Sequence, residues 1–186
     1  MPKVAVTGLG ILSPLGLDVE TYWQGLCAGR SGVDFITEFS TDKLRTDIAA
    51  SVRGFDPLSV LESREIDYTG RVVQLGLAAA TEAIRQARLE DVDKTRVAAL
   101  VSSGQGAVEI FVEQVQRVAT RGPRAVSPYF IPASMPNALA GLIATKFGFM
   151  GPSFNVASAC ATSAHSIALG ALLIQSGDAD VVIAGG

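Results

Sequence analysis

The sequence predicts an α/β fold with a mostly parallel sheet that is covered by helices on both faces. Short apolar runs of strand length, such as 96–101 and 180–184, alternate with longer segments in which apolar residues recur every three or four positions. Tight glycine turns, as at 8–10 and 102–106, separate such runs from the helices that follow. This repeated order of strand, turn and helix is typical of parallel α/β structures.

The chain opens with a predicted strand at residues 3–7, followed by a predicted helix at 18–28. Asp18 precedes that helix and is a suitable N-cap, because its carboxylate can accept a backbone N–H of the first turn. We expect Trp23 and Leu26, on the same helix, to face the core.

The middle of the chain alternates between irregular and periodic segments. Residues 29–64 lack a clear period and are predicted to form a surface excursion. Residues 71–88 carry small and apolar side chains at spacings of three and four, which predicts a helix that another element approaches closely. The remaining predicted elements are a strand at 96–101, a helix at 107–120, a helix from Pro136 or Asn137 to about 148, a strand at 153–157, a helix from Cys160 to Gly177 and a strand at 180–184.

Composition favours one domain, residues 1–186, in a reducing compartment. The chain has 186 residues, 48% of them hydrophobic, which is enough for a sizeable core. A formal net charge of −3 without any block of lysines and arginines argues against nucleic-acid binding. Two cysteines fit reduced thiols better than a disulfide, so we expect a cytoplasmic protein.

Neither a signal peptide nor a membrane span is predicted. The N-terminus passes from Lys3 directly into a strand-like run, without the apolar segment and cleavage site of a signal peptide. The most apolar stretch, 161–174, is too short to span a bilayer and contains His165 and several hydroxyls. We therefore predict a buried core helix there and no membrane partner.

The glycines at 8–10 do not complete a dinucleotide-binding fingerprint. The third glycine of that motif would fall on Ser13, and Pro14 follows inside the would-be helix. Two cysteines and one histidine also do not make the four-ligand set of a structural zinc site. We expect neither a cofactor nor a metal.

Cys160 is the candidate nucleophile. It stands between the short run 153–157 and a long apolar helix, which would place its thiol at the positive end of the helix dipole and favour the thiolate. Small neighbouring residues leave room for a substrate carbonyl and its oxyanion. From spacing alone, a buried packing cysteine explains this residue at least as well. Cys27 lacks such a turn and is predicted to be a packing residue.

Three segments resemble the β-ketoacyl-(acyl carrier protein) synthase II family of condensing enzymes. They are VAVTGLGILSPLG, SPYFIPASMPNALAG and NVASACATSAHSIALGALLIQSGDADVVIAGG. The resemblance implies a thiolase-like layered fold, of which this chain is one α-β-α half of an αβαβα architecture. It also implies acyl transfer to Cys160 and then decarboxylative Claisen condensation, in fatty acid or polyketide biosynthesis. The implied partners are acyl carrier protein, acyl and malonyl thioesters, and a second copy in a homodimer.

The chain lacks part of the chemistry that this resemblance implies. Such enzymes use two histidines and a lysine from the second half of the fold, whereas this chain has one histidine, His165. Residues five apart on a helix are separated by about 140° around the axis, so His165 is poorly placed to act as a base on Cys160. We interpret it as structural. We expect the natural protein to be longer, with this chain as its N-terminal half, able by itself at most to accept an acyl group.

The resemblance places three further residues at the acyl pocket. Gln105 stands where an aliphatic residue is common in synthase II, and a polar amide there favours a shorter, unsaturated or polyketide-like acyl chain. An equal alternative is that Gln105 points into its own loop or a subunit contact. Phe130 matches the position that reaches the neighbouring subunit's pocket, and Ala159 borders the nucleophile. Segments 153–157 and 129–135 are expected near a two-fold contact.

Two other functions remain open from the sequence. A chain-length subunit that pairs with a condensing subunit needs no nucleophile, so Cys160 argues against it. A thiolase-type enzyme acting on acyl-coenzyme A shares the fold, but the GDAD…AGG run and the MPNALAG segment resemble synthases more closely. In each case a half-fold would expose the face that its other half covers.

Overall fold

The computed structural model describes residues 3–186, which form a layered α/β structure around a short parallel sheet. In chain order the elements are α1 (Val19–Cys27), β1 (Asp34–Phe35), β2 (Ile48–Ala49), α2 (Ser63–Ile66), α3 (Arg71–Ala87), β3 (Val97–Val101), α4 (Val108–Arg121), α5 (Phe130–Ser134), α6 (Ala138–Phe147), α7 (Thr162–Ser176) and β4 (Val181–Gly185).

The central sheet is the parallel pair of β3 and β4. The strands pair in register from Val97 with Val181 to Val101 with Gly185. A single parallel bridge joins Ser153 to the other side of β3. All five residues of β3 are buried, which explains why its sequence is a continuous apolar run rather than an alternating one.

Alternate residues of β3 face two different helix layers. Val97, Ala99 and Val101 belong to a core shared with α3 and α6. Ala98 and Leu100 point the other way, into a second cluster that includes part of α7. The sheet therefore separates α3 and α6 from α7, and the helices on both faces were expected from the sequence pattern.

Five of the predicted helices are confirmed with small shifts at their ends. They are α1, α3, α4, α6 and α7. Asp18 caps α1 as predicted and accepts the N–H of Thr21 at 2.7 Å. Gly148 and Gly177 adopt the left-handed conformation at the ends of α6 and α7, where a residue without a Cβ is favoured.

The small residues of α3 admit the N-terminal segment at close range, as predicted. A Cβ placed on Gly8 would clash with the carbonyl oxygen of Ala83, and one placed on Gly10 would clash with that of Ala79. Glycine at both positions is therefore required by lack of room and not by an unusual φ.

The strand predicted at residues 3–7 is wrong. That segment pairs with no strand within residues 3–186. A run of this composition becomes a strand only where a neighbouring edge offers backbone partners, and the described residues offer none there. Just downstream, side chains of α3 accept backbone N–H groups: Leu9 donates to Gln86 at 2.6 Å and Ile11 donates to Glu82 at 3.0 Å.

Two other segments differ from the prediction in detail. The surface excursion 29–64 contains the short antiparallel ribbon of β1 and β2 and the helix α2. The proline-rich loop that precedes α6 contains the short helix α5. The strand predicted at 153–157 is limited to the one bridge at Ser153, because the rest of the segment turns toward α7.

Arg96 joins three elements at the amino edge of the sheet. Its guanidinium donates to the Gly177 carbonyl after α7 at 2.8 Å and to the Asp180 carboxylate before β4 at 2.7 Å. The hydrogen bond from Arg96 holds the pKa of Asp180 below its ordinary value. The stabilisation that the Arg96–Asp180 pair contributes is therefore fully present above the ordinary aspartate pKa. It is lost as the pH falls through the lowered pKa of Asp180.

Part of the apolar surface of the helices is uncovered. Trp23 and Leu26 on α1 are 58% and 48% exposed, so the prediction that they face the core is wrong for this chain. Ile167 and Leu172 on α7 are 54% and 56% exposed. Leaving such side chains in water forgoes about 25 cal/mol for each Å² of apolar surface that is not buried.

Residues 159–176 form a helical stretch that is long and apolar enough to cross a membrane by length and composition. The prediction that the apolar stretch here is too short to span a bilayer is therefore wrong, because the helical stretch has 18 residues. The buried core helix predicted at 161–174 is also wrong for this chain, since only 17% of residues 159–176 are buried. Here α7 lies against β4, with Gly170 facing Val182.

Two glycine substitutions test this packing. Gly10→Ala should lower the free energy of unfolding by roughly 1–3 kcal/mol, because the added methyl has no room beside α3. Gly141→Ala is the matched control, since a Cβ at this position in α6 meets no atom within 4 Å. It should stabilise the helix by about 0.5–1 kcal/mol. Thermal and urea unfolding measure both, and a neutral Gly10→Ala would contradict the close approach to α3.

Candidate active site

The carboxyl ends of β3 and β4 converge on the turn that carries Cys160. Cys160 is the middle residue of a 3₁₀ turn, Ala159–Ala161, directly before α7. Gly104 lies in the glycine turn after β3, and a Cβ placed on it would lie 3.4 Å from the Cα of Ala159, the first residue of the Cys160 turn. Gly186 directly follows β4, and a Cβ placed on it would lie 3.1 Å from the Cγ2 of Thr162. Open parallel α/β sheets bind their ligands at this edge.

Side-chain hydrogen bonds fasten the two loops beneath the cysteine. Asn155 accepts the N–H of Ser103 on its Oδ1 at 2.8 Å. The hydroxyl oxygen of the buried Ser102 accepts the N–H of Val156 at 3.1 Å. Because one partner in each pair follows β3 and the other leads to the nucleophile turn, these bonds fix that turn relative to the sheet.

The residue before the cysteine has a left-handed backbone. Ala159 has φ of 51°, and among residues 3–186 the only other non-glycine with positive φ is Arg88, at the end of α3. This conformation costs a residue with a Cβ roughly 1–2 kcal/mol, so it persists only where the surroundings enforce it. The sharp turn places Cys160 at the surface, where its side chain is exposed.

The exposure of the two cysteines differs in part from the prediction. Cys160 has the predicted position before the apolar helix, and its exposure does not fit a packing residue within this chain. Cys27 is exposed as well, so its predicted packing role is wrong here. It ends α1, whose apolar face is itself uncovered.

His165 contacts the loop before the nucleophile and not the nucleophile itself. Its Nδ1 lies 2.7 Å from the hydroxyl oxygen of Ser158. Within residues 3–186 the thiol of Cys160 makes no hydrogen bond to His165. This geometry agrees with the interpretation of His165 as a residue that does not act as the base.

Gln105 borders an apolar groove of about 330 Å³ along α4. The helix contributes exposed side chains that include Phe111 and Val112, and Ser134 of α5 also lines the groove. Neither Cys160 nor Ala159 lines it. Gln105 and Gln116 are the two amides at this groove, and Ser134 is its other polar residue.

Phe130 lies beside this groove and not in it. Its ring packs edge-on against Phe111 of α4, with 4.9 Å between the ring centroids. Gln105 and Phe130 thus both lie next to residues of α4, while Ala159 lies against Gly104 of the turn that carries Gln105. The four predicted site residues therefore share one region of the molecule, but the structure does not bring them into one cavity.

Sequence reasoning missed the polar residues that hold the site together. Ser102, Asn155 and Ser158 each bond to a different loop or helix through a side-chain atom. Small polar residues are common in loops, so their residue types give no signal. Only the position of Ser158, two residues before Cys160, marks it as a residue to consider.

The described residues also bear on metal binding. Within residues 3–186, no group of three or more histidine, cysteine, aspartate or glutamate side chains lies close enough together to hold a metal ion.

The chain is similar in sequence to bacterial condensing enzymes. It is 39% identical over 186 residues to the 3-oxoacyl-(acyl-carrier-protein) synthase 2 of Coxiella burnetii, and the match covers 99% of this chain and 45% of that protein. The same enzyme from Vibrio cholerae is 36% identical over the same shares of each chain. The chain therefore spans less than half the length of these curated relatives.

The fold is also that of known ketosynthases. The solved structure of the ishigamide ketosynthase/chain length factor superposes with a TM-score of 0.88 at 29% identity, over 97% of this chain and 46% of that one. This superposition confirms the predicted thiolase-like α/β fold. The family model of the β-ketoacyl synthase N-terminal domain matches residues 1–186. With the family model matching residues 1–186 and the fold agreeing over 97% of the chain, the chain belongs to the β-ketoacyl synthase family, in which it corresponds to the N-terminal domain.

Proposed function

We propose that the protein containing this chain is a 3-oxoacyl-(acyl carrier protein) synthase of fatty acid or polyketide biosynthesis. In this proposal, Cys160 takes an acyl group from a carrier-protein thioester, and decarboxylative Claisen condensation with a malonyl thioester follows. The observation that carries the proposal is the exposed Cys160 on a strained turn at the carboxyl edge of the sheet, in a chain of this family.

The acyl-transfer step uses groups that this chain supplies. The Cys160 sulfur attacks the thioester carbonyl as the thiolate, and a new S–C bond forms while the bond from that carbon to the carrier's sulfur breaks. The carrier thiolate leaves and takes up the proton that Cys160 released. Negative charge develops on the carbonyl oxygen during the attack, and the positive end of the α7 dipole favours both that charge and the thiolate.

The condensation step needs groups that lie elsewhere. His165 is the only histidine of the sequence, and its Nδ1 is engaged with Ser158. We place the remaining histidines and lysine in a second half of the protein, which would give it the length of its curated relatives. The uncovered apolar faces of α1 and α7 support such a covering segment.

The donor of the acyl group is proposed to be acyl carrier protein. The curated relatives are named for it, and the synthase-like motifs of the sequence distinguish the chain from coenzyme A-dependent thiolases. A thiol nucleophile also needs a reducing environment to remain free, which supports a cytoplasmic location.

A chain length factor is the second candidate, because the ishigamide structure joins a ketosynthase with such a factor. That partner role needs no nucleophile, and the exposed thiol of Cys160 favours the condensing role.

We propose a homodimer in which Phe130, next to the groove along α4, approaches the acyl pocket of the second copy.

The acyl chain is proposed to run from Cys160 past Ala159 and Gln105 toward the groove along α4. Ala159 lies against the glycine turn, and Gln105 lies in that turn as one of the polar residues that line the groove. Burying an amide against hydrocarbon without a hydrogen-bond partner costs about 1–3 kcal/mol, so Gln105 disfavours long saturated chains.

Acylation of Cys160 is tested by intact-mass analysis of the natural protein, expressed from its own start codon to its own stop codon. Incubation with acyl-carrier-protein thioesters of several lengths should add one acyl group to the wild type. Cys160→Ala should abolish the adduct because the attacking sulfur is gone, whereas Cys27→Ala should keep it.

Three results would overturn parts of the proposal. An adduct that persists in Cys160→Ala would remove the assigned nucleophile, and equal or faster reaction with acyl-coenzyme A would favour the thiolase alternative. A folded wild-type protein that forms no adduct would favour the chain-length partner. A stop codon directly after Gly186 would rule out the proposed second half.

Gln105→Leu tests the acyl-chain assignment. The substitution should raise kcat/KM for a long saturated acyl chain relative to a short one by about tenfold, because the unpaired amide no longer opposes burial of hydrocarbon. Gln24→Leu, at an exposed position of α1 outside this groove, is the control and should leave that ratio unchanged. Equal effects of the two substitutions would show that the amide of Gln105 does not set the preference.

A further inference from the structure

We propose that Ser158 and His165 form a positioning pair that holds the Cys160 turn in the conformation required for acyl transfer. The hydroxyl oxygen of Ser158 and the Nδ1 of His165 lie 2.7 Å apart, so the two side chains share one hydrogen bond across the turn. The inference rests on the proposed function, because acyl transfer to Cys160 is the reaction that the pair supports.

Ser158 makes three hydrogen bonds, two to residues of α7 and one to the 3₁₀ turn before it. Besides the contact with His165, its N–H donates to the hydroxyl oxygen of Thr162 at 3.0 Å. Its carbonyl accepts the N–H of Ala161 at 3.1 Å. Thr162 and His165 are three apart on the helix and therefore lie on the same face, so both can reach back to one residue of the preceding loop.

These bonds matter because the residue that they flank is strained. Ala159, with φ of 51°, stands between Ser158 and Cys160. Released from its anchors, this residue would return to an ordinary backbone conformation, which would change the position of Cys160 relative to α7. Fixing Ser158 on one side of Ala159, while α7 fixes the other side, prevents this relaxation.

The side chain of His165 is suited to this role and not to proton transfer from the thiol. Its Nδ1 faces Ser158, and the ring is exposed at the surface of this chain. The Thr162 side chain that completes the anchor is 4% exposed, so its hydroxyl is fixed by packing. Thus the buried hydroxyl of Thr162 holds the backbone N–H of Ser158, and the imidazole ring of His165 holds its hydroxyl.

Four variants of the natural protein separate positioning from general stability. Ser158→Ala and His165→Ala each remove the shared hydrogen bond, whereas Ser158→Thr and His165→Asn keep a hydroxyl and a side-chain hydrogen-bonding atom near the original positions. The readouts are the rate constant for acylation of Cys160 by an acyl-carrier-protein thioester, the rate of Cys160 alkylation by iodoacetamide, and the melting temperature. Ser176→Ala, at the far end of α7, is the control.

The alanine variants should acylate about ten- to a hundredfold more slowly, because a misplaced nucleophile loses its near-attack geometry. Ser158→Thr and His165→Asn should recover most of that loss, and the double alanine variant should be no slower than either single one. Ser176→Ala should acylate at the wild-type rate.

The possible results discriminate between the inference and the function on which it depends. Alanine variants that acylate at the wild-type rate, or losses that multiply in the double variant, would overturn the pair. If an alanine variant fails to fold, Ser158→Thr and His165→Asn carry the test. A folded threonine or asparagine variant that acylates at the wild-type rate supports the pair. A folded variant of this kind that is as slow as Cys160→Ala overturns it. A wild-type protein that is not acylated would instead refute the proposed function.

Discussion

The parallel pairing of β3 with β4 is the constraint on which the rest of the structure depends. It buries β3 completely, and its alternating side chains build one core with α3 and α6 and another with α7. Because both strands run in the same direction, the loops that follow them emerge at the same edge. The Cys160 turn lies at that edge, so the sheet and the candidate active site are parts of one arrangement.

The chemistry at this edge depends on a local strain that the surrounding loops maintain. A left-handed alanine is an unfavourable choice for a turn, and its cost is met by hydrogen bonds from Ser158 to two residues of α7. The result is an exposed thiol at the amino end of a long helix. In the proposed reaction the acyl thioester arrives attached to a carrier, and an open site lets it reach the sulfur from outside.

Two helices of this chain keep exposed apolar faces. Helix α7 is covered on one side by the sheet and carries exposed leucine and isoleucine on the other. In a layered fold such a helix is normally packed between two sheets or between a sheet and another helix layer. The length of the curated relatives, more than twice that of the matched segment, is consistent with a second layer of this kind.

The sequence by itself determined the helices α1, α3, α4, α6 and α7, the strands β3 and β4, the family and the position of Cys160. Periodicity, caps and motifs are local properties, so they can be read along the chain without its folded partners. Only the tertiary structure decided that residues 3–7 form no strand, that Trp23 is exposed and that His165 bonds to Ser158. Each of these depends on which distant segment supplies a backbone edge, an apolar surface or a hydrogen-bond partner, and that choice is made by packing across the whole fold.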